Sequence, residues 1–447
     1  MTTITTTPRT EPSRPAPKPG FDPRLAPIID KVDQGERLSI EDGMLLYETP
    51  DIWTLCELAD RVRRRLHGDV AYYNINRHLN YSNICALSCK FCAFHRKKDQ
   101  DGAYEHSVEQ IREEAHKAVA SGATEMHIVG GLHPWLKFDY YTTMLRTIRE
   151  AAPALHIKAF TAVEIVHLAK VSKRGKQGYE GIKSVLQDLI DAGLGSLPGG
   201  GAEVFDDRVH DEVFKGKIRS TQWLDVHKAA HELGLNSNAT MLYGHVDQRA
   251  ERIKHMDILR RAQDIALHRI GYDIALSRDP KGSAPTNDQG YPDCIRDWPG
   301  PVVLTQPGAQ LPKPDASGGY HQTIIPLPFF PDESELEHLP APTGLENLRT
   351  LAICRLMLDN FPHVKAFWIM QTLEMAQFML QNGADDIDGT VVWYDITKLE
   401  GPTTHQEASV ADLQRAIREA GFTPVERDTL YRPVERNMQT GAWRVIS

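Results

Sequence analysis

From residue 72 to residue 381 the chain keeps returning to one rhythm, a short apolar run followed by a longer amphipathic stretch. Strands are read at 72–75, 126–129, 156–161, 196–197, 237–242, 322–327 and 364–369, and helices at 140–151, 179–192, 220–233, 249–268, 345–360 and 373–381. A further helix opens at Ser107, where Gln110 completes a capping box; Ile111, Ala115, Ala118 and Val119 share one face before Gly122 stops it. Repeated strand–helix units of this length specify a parallel sheet covered by helices. With no dinucleotide-binding glycine fingerprint, the expected fold is α/β, a complete or partial (βα) TIM-like barrel.

Five segments fall outside the rhythm. Residues 1–20 are rich in Thr and Pro, lack an apolar core of the secretory kind, and are expected to form a disordered tail. Residues 21–70 read as an N-terminal helical segment, the barrel as 71–395, and 396–447 as a C-terminal α/β extension. Within the barrel, 279–319 is dense in Pro, Gly, Asp and Ser and too long for an ordinary connection. It reads as a partly disordered surface insertion, or as a lid or oligomer contact. The polar, basic 170–181 reads as a surface loop. A net charge of −9 excludes a general nucleic-acid binder, and no apolar run is long enough to span a bilayer.

Three of the six cysteines, Cys85, Cys89 and Cys92, fall within eight consecutive residues, just after the first strand. That is poor spacing for a disulfide framework and good spacing for thiolates that converge on iron or zinc. Two readings stay open on spacing alone. His95 would complete a closed Cys3His zinc site. Alternatively, three thiolates on a four-iron cube would leave one iron free for a substrate's amine and carboxylate. Position favours the second, because the loop follows a strand where a barrel builds its active site. Cys56 and Cys354 lie in apolar helical patterns and read as core; Cys294 has no evident role.

The Cys-x3-Cys-x2-Cys loop, with Phe91 before the last cysteine, resembles the radical S-adenosylmethionine (SAM) superfamily. The segments NRHLNYSNIC, KFCAF, VGGLHP, SLPGGGAE and ATMLYGH resemble its menaquinone- and deazaflavin-pathway branch. PGGGAEVF, FWIMQTLEMAQ, GADDIDGTVV and ERDTLYRPV are most similar to the aminodeoxyfutalosine synthase family. The resemblance implies a [4Fe–4S] cluster on Cys85, Cys89 and Cys92, with SAM consumed as co-substrate. It also implies addition of a 5′-deoxyadenosyl radical to 3-[(1-carboxyvinyl)oxy]benzoate, giving 6-amino-6-deoxyfutalosine, bicarbonate and methionine. The neighbouring reactions are those of cyclic dehypoxanthinyl futalosine synthase and the deazaflavin synthase; a zinc scaffold is the non-enzymatic alternative. An electron donor such as flavodoxin or ferredoxin, and a reducing cytoplasm, are implied with the cluster.

Glycines at strand ends let ligands approach backbone closely. The resemblance implies that Gly130 and Gly131 meet the methionine amine, although Leu132 and His133 follow where many relatives carry an acid. Phe91, Glu164, Gly200, Gly201 and Glu203 are expected around the adenosyl group. The substrate is a dicarboxylate, so Arg77, His78, Asn80, His133 and His245 are candidate contacts, with Asp386, beside Asp385 and Asp388, to orient a base. His78, His133, His245 and Asp386 form the candidate catalytic set; each reads equally as a hydrogen-bonded structural residue or a cap.

Overall fold

In the computed structural model, residues 20–273, 291–313, 318–391, 407–437 and 440–446 are described. Strands β1 (Val70–Asn74) and β2 (Asn76–Leu79) follow one another across Ile75. Then come β3 (Glu125–Ile128), β4 (His156–Ala159), β5 (Ser196–Leu197), β6 (Asn236–Tyr243), β7 (His321–Pro328) and β8 (His363–Val364). β2 to β8 form one seven-stranded parallel sheet in chain order. Helices run between them, so each crossover has the same hand and the sheet curls.

The edges of the curled sheet are joined by β9 (Asp386–Gly389). Lys365 bridges to Asp386, Ala366 N donates to Asp386 O at 2.8 Å, and β9 pairs in parallel with β1. Because β1 runs on into β2, the ring closes and leaves no open barrel edge. Outside it, β10 (Thr423–Glu426) pairs with the other side of β1, fastening the C-terminal segment to the barrel. β11 (Val434–Arg436) and β12 (Trp443–Val445) make a separate antiparallel pair.

The first strand of the sequence reading, 72–75, covers the end of β1 and stops short of β2. NRHL reads as too polar for a strand, yet it is β2. Its polar residues divide by face: Asn76 and His78 point into the barrel, while Arg77 points out to Glu114 of helix Val108–Ala120 at 2.8 Å. Helix Ala162–Val171 is also absent from that reading, because AVEIVHLAKV is apolar almost all round and shows little period. Its capping box, Thr161 with Glu164, is the available signal. With that helix ending at Val171 and another starting at Gly178, the expected surface loop shrinks to a short link containing a 3-10 turn. The strand expected at 364–369 ends at Val364.

The barrel interior below the strand ends is polar and ion-paired. Glu125 meets Lys158 at 2.5 Å, Lys365 meets Asp388 at 2.6 Å, and Asp386 meets Arg427 at 2.6 Å, all buried. Buried charges persist only when paired in this way. Of the expected insertion, 279–290 and 314–317 lie outside the described residues, as do 1–19 of the tail and 396–406 of the extension. The described 291–313 packs on helix Arg249–Arg269: Tyr291 donates to Asp257 (2.6 Å) and Trp298 to Asp264 (2.7 Å), while Val302 and Leu304 are buried. Among the described residues, no helix is long and apolar enough to cross a membrane.

Candidate active site

A cavity of about 290 Å³ opens at the C-terminal ends of the barrel strands. Every strand of the sheet sends something to its wall: the cysteine loop after β2, Val129–Leu132 after β3 and Thr161–Glu164 after β4. Pro198, Gly200, Gly201 and Glu203 follow β5, Thr240 and Leu242 come from β6, Ile325 and Leu327 from β7, and Phe367 follows β8. That is where parallel barrels place their chemistry.

The cysteine loop is held by backbone hydrogen bonds. Cys85 N donates to Arg96 O (3.0 Å), Arg96 N to Asn83 O (2.9 Å), Ala86 N to Leu132 O (2.9 Å) and Lys90 N to Val213 O (2.9 Å). Lys97 Nζ ties the carbonyls of Cys85 and Leu87, both at 3.0 Å. Cys85, Cys89 and Cys92 are free thiols and all face the cavity. The amides of Leu87 and Leu132 each point at Cys85 Sγ from 3.4 Å. Burial pushes the Cys89 thiol up to about 11 and raises that of Cys92. Thiols so placed ionise when a metal supplies the positive charge.

Spacing separates the two metal readings. A tetrahedral zinc with Zn–S near ~2.3 Å needs its thiolates ~3.8 Å apart. Among the described residues, the donor trios that converge within 4.8 Å are His227, His231, His321 and His67, His363, Asp385. The cysteine loop is not one of them. His95 lines the cavity, but its Nδ1 lies 2.9 Å from Cys92 O, engaged with the loop itself. Thiols set further apart fit a cluster whose ligands sit on separate irons.

The two glycines after β3 are required by the loop's own packing. A Cβ on Gly131 would lie 2.4 Å from Ile84 O, and one on Gly130 2.6 Å from the Tyr81 ring. Their amides are also taken, Gly131 N by Ser82 O (2.8 Å) and Gly130 N by Glu164 Oε1 (3.0 Å). Glu164 is a hub. Oε1 also accepts from Tyr81 OH (2.9 Å), and Oε2 accepts from Thr161 N (2.7 Å) and Thr161 Oγ1 (2.8 Å). Burial pushes its carboxyl up to about 7 against the pull of those donors.

Across the cavity, Gly199 with φ +79° and Gly201 with φ +92° turn the chain after β5. A Cβ at Gly199 would lie 2.0 Å from Asn238 O, so this turn admits only glycine. Glu203 forms a buried ion pair with Lys217, whose Nζ lies 5.2 Å from the Phe91 ring centroid. Burial opposes the Lys217 charge, but Glu203 and the Cys89 thiol hold it above its usual range. Phe91 itself is braced edge-on by Phe214. Lys217 had no signal in the sequence; His127, which also lines the wall, was marked only by being polar at an inward position of β3.

The expected catalytic set does not gather here. His78 lies inside the barrel with its ring 4.4 Å from His127, and burial pushes it down to about 4. His133 pairs with Glu105 (2.8 Å) and accepts from Leu136 N (3.1 Å). His245 is buried with Nε2 3.2 Å from Leu242 O. Asp386 is locked to Arg427. None of the four lines the cavity, nor do Arg77 and Asn80. By contrast Cys85, Cys89, Cys92, Phe91, Gly130, Gly131, Glu164, Gly200, Gly201 and Glu203 come together on one wall system.

Residues 79–259 match the family model of the radical SAM superfamily, and 319–440 match the CofH/MqnC C-terminal region. The aminodeoxyfutalosine synthase of Thermus thermophilus is 38% identical over 92% of this chain and 96% of its own. That of Streptomyces coelicolor is 37% identical over 90% and 92%. The 5-amino-6-(D-ribitylamino)uracil–L-tyrosine 4-hydroxyphenyl transferase of Methanosphaerula palustris is 32% identical over 91% and 97%. In fold, the chain resembles methylornithine synthase, with TM-score 0.62 and 14% identity over 89% of this chain and 97% of that one.

Proposed function

The chain belongs to the radical SAM superfamily, in the aminodeoxyfutalosine synthase family, and we propose that it joins the adenosyl group of SAM to an enol-ether benzoate. The product would be 6-amino-6-deoxyfutalosine, made from 3-[(1-carboxyvinyl)oxy]benzoate with loss of bicarbonate. The observation that carries this choice is the graded similarity. Two aminodeoxyfutalosine synthases match at 37–38% identity, whereas the tyrosine hydroxyphenyl transferases match at 30–32%.

Cys85, Cys89 and Cys92 would hold a [4Fe–4S] cluster, and their separation and cavity position support that assignment. When bound, the cluster supplies the electron that splits SAM into methionine and the 5′-deoxyadenosyl radical. The residues around it have simpler tasks. The β3 turn at Gly130 and Gly131, pinned by Glu164, fixes the rim against which the methionine end would lie. The turn at Gly200 and Gly201 offers bare backbone for the adenosyl group. Lys217 is the one lysine or arginine among the described residues lining the cavity, so it is the candidate partner of a substrate carboxylate. Neutral His127, kept uncharged by burial, offers a further donor. The apolar wall of Leu242, Ile325, Leu327 and Phe367 would keep water from a reactive carbon and hold it against the alkene.

Anaerobic reconstitution tests the metal assignment: about four irons per chain are expected, lost when any of the three cysteines becomes serine. Tightly held zinc without iron would contradict it. The second reading follows from the transferase relatives and the matching C-terminal region. Supplying tyrosine with 5-amino-6-(D-ribitylamino)uracil instead of the enol-ether benzoate decides between them, and product with the former alone would favour the transferase.

A further inference from the structure

A second group of metal-competent side chains lies outside the barrel wall, at the opposite end of the strands from the cavity. His227 and His231 sit four residues apart on helix Ser220–Glu232, so both project from one face towards the sheet. His321 opens β7. There Ser237 pairs with His321 but Asn238 pairs with Thr323, so Gln322 is an extra residue in the ladder. This bulge turns His321 outward to the helix, although Thr323 and the residues after it follow the inward register. The three rings are 1%, 2% and 1% exposed, and one nitrogen from each lies within 4.8 Å of the others.

Their hydrogen bonding is incomplete. The Ser237 hydroxyl lies 2.8 Å from His231 Nε2 and 2.9 Å from His321 Nδ1, so it accepts from one ring and donates to the other. Among the described residues, His227 has no hydrogen-bond partner at either ring nitrogen. A buried imidazole left this way loses the solvation of both nitrogens, a cost normally met by a water or an ion. Beside it is a cavity of about 20 Å³, lined by all three histidines and by Cys294. That is room for one water-sized guest. Burial holds all three rings well below the usual histidine range, in the neutral form that ligates metals.

We propose that His227, His231 and His321 form a structural site for a divalent transition-metal ion of the zinc class, with Cys294 as fourth ligand. Three neutral imidazoles leave the ion's charge uncompensated, and Arg269 on the same cavity adds to it. A thiolate from Cys294 supplies the missing negative charge. Imidazole nitrogens on a tetrahedral zinc sit ~3.3 Å apart, and the three rings already converge within 4.8 Å; Cys294 lines the same cavity outside that trio and has to turn in to complete the site. The ion would rivet helix Ser220–Glu232 to the feet of β6 and β7, and tie in the segment that carries Cys294. The other converging trio offers no such vacancy, because Asp385 already accepts from His363, Arg355 and Val364 N.

The test is zinc binding by the full-length chain with the cysteine loop out of play, either iron-loaded or with Cys85, Cys89 and Cys92 all replaced by serine. Chelator competition should give about one tight zinc per chain in both forms, weakened on the order of 10²-fold by His227→Ala or His321→Ala. With cobalt in place of zinc, Cys294→Ser should keep the stoichiometry and abolish the sulfur-to-metal absorption. This variant changes a half-buried side chain, and it reads the same site if the histidine variants fail to fold. Zinc held by the iron-free wild type but by neither blocked form would assign it to the cysteine loop and overturn the proposal. No zinc in any form, or zinc indifferent to His227 and His321, would overturn it as well.

Discussion

Replacing Glu164 by glutamine should change both the size of the chain's stability and its pH dependence. The carboxylate accepts from two backbone amides, Gly130 N and Thr161 N, and two hydroxyls, Tyr81 and Thr161. The hydroxyls can turn to meet a carboxamide NH2; a backbone amide cannot. Whichever way the glutamine sits, one buried N–H loses its acceptor, at ~1–3 kcal/mol. Against this, burial raises the carboxyl from 4.5 to about 7. A folded-state value above the unfolded one means that the native chain binds the extra proton. The associated stability is full below 4.5 and is lost as pH rises through 7. At ~1.4 kcal/mol per pH unit between the two values, that loss is about 3 kcal/mol, and Glu164→Gln abolishes it. Equilibrium urea unfolding of the cluster-free chain, followed by tryptophan fluorescence at pH 5 and pH 8.5, reads both effects; titrations elsewhere cancel in the comparison. The variant should be less stable by ~1–3 kcal/mol at pH 5, and as stable as wild type or more so at pH 8.5. A gap that stays constant between the two pH values would refute the reasoning.

Gly131→Ala drives a Cβ to 2.4 Å from Ile84 O, so the cysteine loop must move; ~1–3 kcal/mol of destabilisation and reduced iron per chain are expected from unfolding and metal analysis. Asp386→Asn strips the partner from buried Arg427 and should cost ~3–5 kcal/mol, yet leave the turnover of the folded fraction unchanged, since Asp386 is off the cavity wall. A collapse of turnover with stability intact would instead make Asp386 catalytic. Lys217→Met leaves Glu203 buried and unpaired, so stability and adduct formation should both fall, and adding Glu203→Gln should restore the stability alone. Recovery of adduct formation in the double variant would show that Lys217 is structural.

The rhythm of apolar runs and amphipathic stretches was enough for the barrel, because its strands, such as β6, are buried on both faces and its helices bury one. It failed where the buried side chains are polar. β2 hides Asn76 and His78 inside the ring, and β9 hides two aspartates beside arginine and lysine partners far away in sequence, so neither reads as a strand. The same cause explains the candidate site. Cysteines and glycines announce themselves by spacing, since a loop that holds a cluster and a turn with positive φ admit few residue types. A histidine or aspartate at a strand end looks alike whether it meets a ligand or a distant arginine. Lys217 lies fourteen residues from its partner Glu203, in a stretch with no pattern, and only the fold brings it over Phe91.

The decisive quantity is the fate of the adenosyl group in a single anaerobic reaction of the iron-loaded chain with reductant, SAM and 3-[(1-carboxyvinyl)oxy]benzoate. Quantitative mass spectrometry of methionine, 5′-deoxyadenosine and the adenosyl adduct follows every turnover to its end. Addition chemistry in this cavity requires that methionine and adduct accumulate mole for mole. Methionine matched instead by 5′-deoxyadenosine, with no adduct, would mean that the radical abstracts hydrogen and that the proposed reaction is wrong.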